Sequence, residues 1–362
     1  MASMPTPPDV SWPAPGRAPA RLLTDGPALV ARLDDGTRRP VRLRGLNRSG
    51  LQHKAGLAQA GFPADPRSEF ASWRDDWRAR VLRLPLTLDR LEPGSAYLAD
   101  VDALVDAAEA TGLYLLLELH GLVDEAHPAL PPEDDALAVW SRLAARYGSR
   151  PQVLFDLWNE PHPETLLGGL SPLWRRAAWE MWREFAQALI DAIRAAGAGE
   201  TLLVVGGIDW AYDLSPLRAP RARLDGRGPL AYATHVYPFK ERISTRLVGR
   251  RHEWRRAFGR VAEELPVLVT EFGAAPGAPD DPHFPGFSDD DARAWLREFL
   301  DHVDELGLSA LAWSAGDRPH LVQATDGCAP GDLGACRLDP LRPTSPFGEL
   351  VRAWLRDEPR PT

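Results

Sequence analysis

The chain has 362 residues, 44% hydrophobic and 26% charged, ordinary proportions for a folded globular protein and enough length for one large domain or two smaller ones. A formal net charge of −9, with arginines scattered among acids and aromatics, argues against a nucleic-acid surface, because a phosphate polymer needs clustered lysine and arginine. No apolar run reaches the length of a membrane span, and no metal-binding spacing is present, so neither a membrane partner nor a bound metal is expected.

Residues 1–20 are rich in proline and alanine without periodicity and read as a flexible leader. They carry no signal-like apolar core; a mature exported chain would look the same, so the compartment stays open, with export favoured. Next, Ala28–Leu33 and Arg39–Arg44 flank Asp34-Asp35-Gly36, and Asp-Gly between short apolar runs predicts a hairpin.

From there strand-like and helix-like segments alternate. Strands are expected at Val41–Asn47, Val81–Leu86, Leu113–His120, Val153–Glu160, Leu202–Gly207, Leu230–Tyr237, Val267–Gly273 and Ser309–Ser314. Helices are expected at Glu69–Arg80, Val101–Thr111, Ala136–Tyr147, Pro172–Ala196, Arg251–Glu264, Asp291–Leu306 and Ser345–Leu355. Their apolar residues recur at three- and four-residue spacing, as Phe70, Trp73 and Trp77 do. The segment Asp213–Pro220 is short and broken by proline, so its helix is expected to be vestigial. The strands are near-continuous apolar runs, as in sheets buried on both faces. Eight of them alternating with helices predict a closed (β/α)8 barrel preceded by a short hairpin, one domain over residues 21–358. An open doubly wound sheet would announce a Gly-rich phosphate loop after its first strand, and Arg44-Gly45-Leu46-Asn47 is not one.

In such a barrel the site lies at the C-terminal strand ends. The residues found there are Asn47, Arg83, His120, Asn159, Glu160, Trp210, His235, Tyr237, Glu271 and Trp313. One polar residue at a strand end is usually a satisfied hydrogen-bond partner; a ring of them is harder to dismiss. Two apolar strands each deliver a glutamate, Phe155-Asp156-Leu157-Trp158-Asn159-Glu160-Pro161 and Val267-Leu268-Val269-Thr270-Glu271-Phe272-Gly273. Glycoside hydrolysis needs such a pair, one carboxyl as proton donor and one as nucleophile or base.

Seven segments, in order, resemble glycoside hydrolase family 5, of the clan of retaining barrel glycosidases. They are Arg44-Gly45-Leu46-Asn47, Leu82-Arg83-Leu84-Pro85, Leu119-His120-Gly121, Trp158-Asn159-Glu160-Pro161, Thr234-His235-Val236-Tyr237-Pro238, Thr270-Glu271-Phe272-Gly273 and Ala312-Trp313-Ser314. The resemblance implies Glu160 as acid/base and Glu271 as nucleophile, with Asn159 on the sugar 2-hydroxyl. It implies that Arg83 and Tyr237 hold Glu271 ionised and aimed, that His120 and His235 line the cleaved-sugar subsite, and that Trp313 forms its floor. A cation and a phenol beside a nucleophilic carboxylate are expected to lower its pKa. Carboxyl groups about 5–5.5 Å apart and net retention are expected. One departure stands out: strand three reads Leu117-Glu118-Leu119-His120, where many relatives carry Asp at position 118.

The expected activity is endo-β-1,4-glucan hydrolysis without cofactor, by a monomer acting on an oligo- or polysaccharide. β-Mannan, other β-glucans and small β-glucosides are rivals within the family, and the loops Leu122–Asp134 and Cys328–Pro343 bear on that choice. A non-catalytic sugar-binding barrel would be favoured had either glutamate been replaced. A lyase or aldolase barrel would want a lysine or a metal cluster at a strand end. Trp210 and Tyr212 form either an additional sugar platform or a loop packed on the rim. His283, Phe284 and Phe287 are read as loop anchors in preference to leaving-group contacts. The acids of Asp280–Asp291 lack calcium-loop spacing. The only cysteines, Cys328 and Cys336, either close a disulfide in an oxidising compartment or remain thiols in a reducing one.

Overall fold

The computed structural model describes residues 15–163, 172–240, 248–325 and 336–360; most of the expected leader and Cys328 lie outside them. Eight parallel strands close into a barrel: β4 (Arg44–Asn47), β5 (Val81–Thr87), β6 (Tyr114–Gly121), β7 (Val153–Asp156), β8 (Leu203–Gly206), β9 (Leu230–Val236), β10 (Val267–Phe272) and β11 (Ser309–Ala312). Neighbours follow chain order around the ring, and β11 pairs back with β4. The eight expected strands are all present. Five, β7 to β11, end earlier than expected, and Glu160, Tyr237 and Trp313 lie past the ends of β7, β9 and β11, where the ladder has stopped and the chain is free to lean over the barrel mouth.

The expected hairpin is β2 (Ala28–Arg32) with β3 (Arg38–Pro40), joined by the Asp34-Asp35-Gly36 turn, with Gly36 at φ +80°. A further strand, β1 (Arg21–Asp25), pairs with β2 and completes a three-stranded antiparallel sheet. Leu22, Leu29 and Ala31 of this sheet join Val81, Tyr114, Leu116, Leu154, Val204, Ala233, Leu268 and Leu311 in one apolar cluster. Those barrel residues mark the inward face of β5 to β11, so the sheet plugs the N-terminal end while apolar layers fill the lower interior.

The alternation of side chains then decides what sits above those layers. Stepping by two from the inward apolar residues gives Arg83 on β5, Glu118 and His120 on β6, Asp156 on β7 and His235 on β9, all buried. On β10 the register against β9 passes from Val269–Thr234 to Glu271–His235, leaving Thr270 as an extra residue. The bulge lets Thr270 and Glu271, consecutive in sequence, both reach His235.

The outer layer comprises α1 (Pro66–Asp75), α2 (Ala96–Thr111), α3 (Glu133–Tyr147), α4 (Pro172–Ala195), α5 (Arg250–Trp254), α6 (Arg260–Ala262), α7 (Asp289–Leu306) and α8 (Phe347–Leu355). A π-helical turn, Arg255–Gly259, joins α5 to α6. α1 stops short of the expected Arg80, at Asp75, and the chain reverses through Arg78 at φ +59°. α7 begins at Asp289, not Asp291: Ser288 caps it and Asp291 returns the bond to the Ser288 N–H. Between β8 and β9 only the 3-10 turns Ser215–Arg218 and Pro220–Ala222 occur among the described residues, the vestigial helix expected from the prolines. No helix among the described residues is long and apolar enough to cross a membrane. Cys336 is held in a disulfide.

Candidate functional site

Arg83 is the hub. It is fully buried, and its guanidinium donates from Nε to Asp156 Oδ2 (2.9 Å) and from Nη1 to Asn47 Oδ1 (3.0 Å) and Glu271 Oε1 (2.7 Å). Nη2 donates to Asn159 Oδ1 (3.0 Å) and lies 3.6 Å from Glu118 Oε2. The planar fork with five N–H donors suits such divergent partners, which a lysine ammonium would not. The Tyr237 hydroxyl donates to Glu271 Oε2 at 2.7 Å, so both oxygens of Glu271 are engaged.

Glu160 is held differently. Its Oε1 lies 2.8 Å from His235 Nδ1, and its side chain keeps 15% of its surface exposed against 5% for Glu271. The other ring nitrogen of His235 lies 3.0 Å from Thr270 Oγ1. Burial pushes the His235 imidazole down to about 3, so the ring is neutral near pH 7. One ligand atom each from Glu160, His235 and Glu271 fall within 4.8 Å of one another. A cation could be imagined there, but both Glu271 oxygens already accept strong hydrogen bonds, one from a guanidinium whose positive charge opposes a metal ion.

Burial pushes the Glu271 carboxyl above the ordinary glutamate value, outweighing the downward pull of the Arg83 guanidinium. This corrects the expectation that Arg83 and Tyr237 would leave it lowered. The Arg83 guanidinium itself is held more firmly protonated, because Glu118, Asp156 and Glu271 all face it. One cation is divided among three acids, so each acid receives only part of its charge, and desolvation wins at Glu271.

Around this centre lies a band of rings. His120 stacks on Trp313, centroids 5.4 Å apart and planes within 8°. Its Nδ1 meets Glu118 Oε2 at 3.2 Å, and burial pushes its imidazole down to about 4. His127 meets His120 edge-on at 5.4 Å and Trp210 at 6.2 Å. Trp210 stacks on His162 at 3.5 Å, within 7° of parallel, with the Lys240 ammonium 5.4 Å from its ring. Trp210 is carried by three successive non-glycine residues in the left-handed region, Asp209, Trp210 and Ala211 at φ +59°, +59° and +57°. Such a run costs about 1–2 kcal/mol per residue, and tertiary contacts must hold it. One such contact is the Trp210 N–H to the Pro161 carbonyl, 3.3 Å.

All the strand-end residues singled out from the sequence thus meet at one end of the barrel. Tyr212 does not serve as a platform: it is 4% exposed and sits in the core. Phe284 is buried beneath the Arg318 guanidinium, as a loop anchor would be, whereas His283 is exposed beside Phe239. Of the twelve tryptophans among the described residues ten are buried, and Trp210 and Trp313 are partly exposed at the site. The sequence reading passed over His127 and His162. His162 follows the Asn159-Glu160-Pro161 motif directly, and that adjacency was the available signal; His127 arrives on a long loop and had none. A hollow of about 1190 Å³ opens at the other end of the barrel, beside Arg17, Tyr114 and Glu200, and contains none of these residues.

Residues 35–319 match the family model described as Cellulase (glycosyl hydrolase family 5). Among curated relatives, Endoglucanase MaCel5A of Microbulbifer sp. (strain ALW1) is 26% identical over 330 residues, 89% of this chain and 55% of that protein. Endoglucanase Z of Dickeya dadantii (strain 3937) is 24% identical over 252 residues, 68% of this chain and 50% of that protein. The chain spans about half the length of these relatives. The beta-glucanase SdGluc5_26A from Saccharophagus degradans, solved in complex with cellotetraose, superposes with a TM-score of 0.71 at 22% identity, covering 96% of this chain and 98% of that one. An endocellulase from Pyrococcus horikoshii, also with cellotetraose, gives 0.67 at 20% identity, over 85% and 95%. At these identities the two structures speak to the fold.

Proposed function

Since this chain belongs to the cellulase family, glycosyl hydrolase family 5, we propose that it is a retaining endo-β-1,4-glucanase in which Glu271 is the nucleophile and Glu160 the acid/base. The observation that carries this reading is the pair of glutamates facing one another within 4.8 Å in opposite settings. Glu271 has both oxygens aimed by a cation and a phenol, while Glu160 is more open and touches a neutral imidazole. The short separation leaves no room for a water between carboxylate and sugar, which favours direct attack.

In the first step a Glu271 oxygen forms a bond to the anomeric carbon as the glycosidic bond breaks. The departing oxygen takes the proton of Glu160. In the second step water gives a proton to Glu160, its oxygen attacks the anomeric carbon, and the ester bond to Glu271 breaks. Two inversions restore the original anomeric configuration, and the proton on Glu160 is regenerated. Arg83 and Tyr237 limit the burial-driven rise of the Glu271 pKa and stabilise the carboxylate as it leaves. Asn159, with Oδ1 held by Arg83, presents its amide N–H to the 2-hydroxyl of the cleaved sugar. His120 and His235 line that subsite, Trp313 is its floor, and Trp210 with His162 extends the aromatic surface beside Glu160 toward the leaving group. Residues 21–358 act as one catalytic domain.

The β-1,4-glucan assignment is supported by the endoglucanase names of the curated relatives and the cellotetraose held by the structural neighbours. A product profile on carboxymethyl cellulose, mixed-linkage β-glucan, β-mannan, xyloglucan and aryl β-glycosides tests it. The expected result is rapid viscosity loss on the glucans with β-anomers released first. Release of α-anomers, or preferential cleavage of mannan, would overturn the mechanism or the substrate respectively.

A further inference from the structure

Below the reacting glutamates lie two more acids. Glu118 on β6 and Asp156 on β7 are register partners on adjacent parallel strands, with backbones about 4.8 Å apart and side chains on the same inward face. Both are buried. Each turns one oxygen to Arg83, Asp156 Oδ2 at 2.9 Å and Glu118 Oε2 at 3.6 Å. The other oxygen of each, Glu118 Oε1 and Asp156 Oδ1, is buried with no hydrogen-bond partner among the described residues. A desolvated acceptor without a donor is costly, and two on neighbouring strands doubly so.

Counting charge sharpens the difficulty. The groups facing the pair are Arg83 from β5, His120 from β6, Glu160 after β7 and Tyr97 from α2, with Glu271 from β10 joined to them through Arg83. Burial keeps His120 and His235 neutral near pH 7, and pushes the Tyr97 and Tyr237 phenols up, so they stay neutral too. With Glu118, Asp156, Glu160 and Glu271 all ionised, four negative charges would face the single positive charge of Arg83, a net −3 in a desolvated pocket. Even with Glu160 protonated for its role as acid, the net charge would be −2.

We propose that Glu118 and Asp156 share one proton, forming an acid pair that positions Arg83 and leaves its charge for Glu271. One proton between Glu118 Oε1 and Asp156 Oδ1 supplies the donor that both orphaned oxygens lack and removes one buried charge. Burial pushes Glu118 up to about 8 and Asp156 up to about 7, the direction the shared proton requires. The pair touches no substrate; it acts through Arg83. When the proton leaves at alkaline pH, two adjacent buried anions pull on the fork that aims Glu271, and activity declines.

Glu118→Gln tests this, because the amide is a neutral donor with no proton to lose. The expected result is kcat/KM at acidic pH within about threefold of wild type, an unchanged KM, and an alkaline limb displaced upward by about half a pH unit or more. A limb that superposes on the wild-type one, or a loss beyond about tenfold at an unchanged melting temperature, would overturn the proposal. A second measurement needs neither turnover nor a folded Glu118 variant. In Glu160→Gln, which removes the carboxyl of the proposed acid, the infrared spectrum at neutral pH should keep a protonated carboxylic acid band that shifts on 13C-labelling of aspartate and glutamate. Its absence would overturn the shared proton, whatever the substrate proves to be.

Discussion

Arg83 Nη1 sits 2.7 Å from Glu271 Oε1, and the same guanidinium holds Asp156, Asn47 and Asn159 with its remaining donors. One side chain therefore aims both the proposed nucleophile and the residue proposed to grip the sugar 2-hydroxyl. Arg83→Lys keeps a charge but cannot serve four partners in different directions. The expected outcome is a fall in kcat of about 10²–10³-fold with a smaller change in KM. The shorter lysine side chain moves the cation away from Glu271, and a more distant cation leaves a carboxylate with a higher pKa, so the acid limb of the kcat/KM profile, which would report ionisation of the proposed nucleophile, should move to higher pH. Arg83→Ala strands buried carboxylates and should destabilise the fold by about 3–5 kcal/mol, read by denaturant unfolding.

Glu271→Gln and Glu160→Ala separate the two proposed roles. Glu271→Gln should abolish turnover while leaving oligosaccharide binding measurable by calorimetry. Glu160→Ala should harm substrates with poor leaving groups most, since these depend on protonation. Azide can occupy the emptied space and attack the glycosyl ester, so it should restore activity on activated aryl glycosides and yield a β-glycosyl azide. An α-glycosyl azide, or no rescue, would contradict the assignment of Glu160.

The barrel was legible because its evidence is local. Buried parallel strands are continuous apolar runs, and the residues that break them, Arg83, His120, Glu160, Glu271 and Trp313, announce themselves at the ends. What stayed hidden depends on relations between segments. The bulge at Thr270 is a register shift against β9, which no single strand encodes. The direction of the Glu271 pKa turns on how three acids divide one guanidinium inside a desolvated pocket. Glu118 stands out in the sequence as a departure from relatives, but its pairing with Asp156 needs the β6–β7 register. Tyr212 and Trp210 lie two residues apart in one loop, and only the left-handed run at 209–211 turns one inward and leaves the other at the cleft.

Trp313 and Trp210 should give different kinetic signatures. Trp313 stacks on His120 and is proposed as the floor of the cleaved-sugar subsite, so Trp313→Ala should lower kcat/KM by about 10²-fold or more on every substrate, aryl glycosides included. Trp210, one face against His162, is proposed to extend the surface toward the leaving group. Trp210→Ala should leave small aryl glycosides within about threefold of wild type. It should raise KM for longer cello-oligosaccharides by about tenfold, the worth of one aromatic contact of about 1–1.5 kcal/mol. Equal losses on both substrate types would place Trp210 in the same subsite as Trp313.

His302, on α7 and far from the cleft, offers a test of stability alone. It is 7% exposed among Trp254 and Phe258, and neither ring nitrogen has a hydrogen-bond partner among the described residues. Glu305 Oε2 is 3.9 Å from Nδ1, and Arg251 and Glu298 are its other charged neighbours. Burial pushes its imidazole from 6.5 down to about 4. As pH falls from about 6.5 toward 4, the unfolded chain therefore binds a proton at this position that the native state does not. Stability rises with pH wherever the unfolded state holds more protons, so this group costs stability progressively through that window as acid is added. His120 and His235, with values of about 4 and about 3, act in the same sense. His302→Leu should remove one such contribution and two unsatisfied ring nitrogens, stabilising the protein by about 1 kcal/mol at pH 5 and less at pH 8, with kcat unchanged. Melting temperatures across pH 5–8 check it: a variant whose curve runs parallel to wild type would show that His302 is not titrating between the folded and unfolded states.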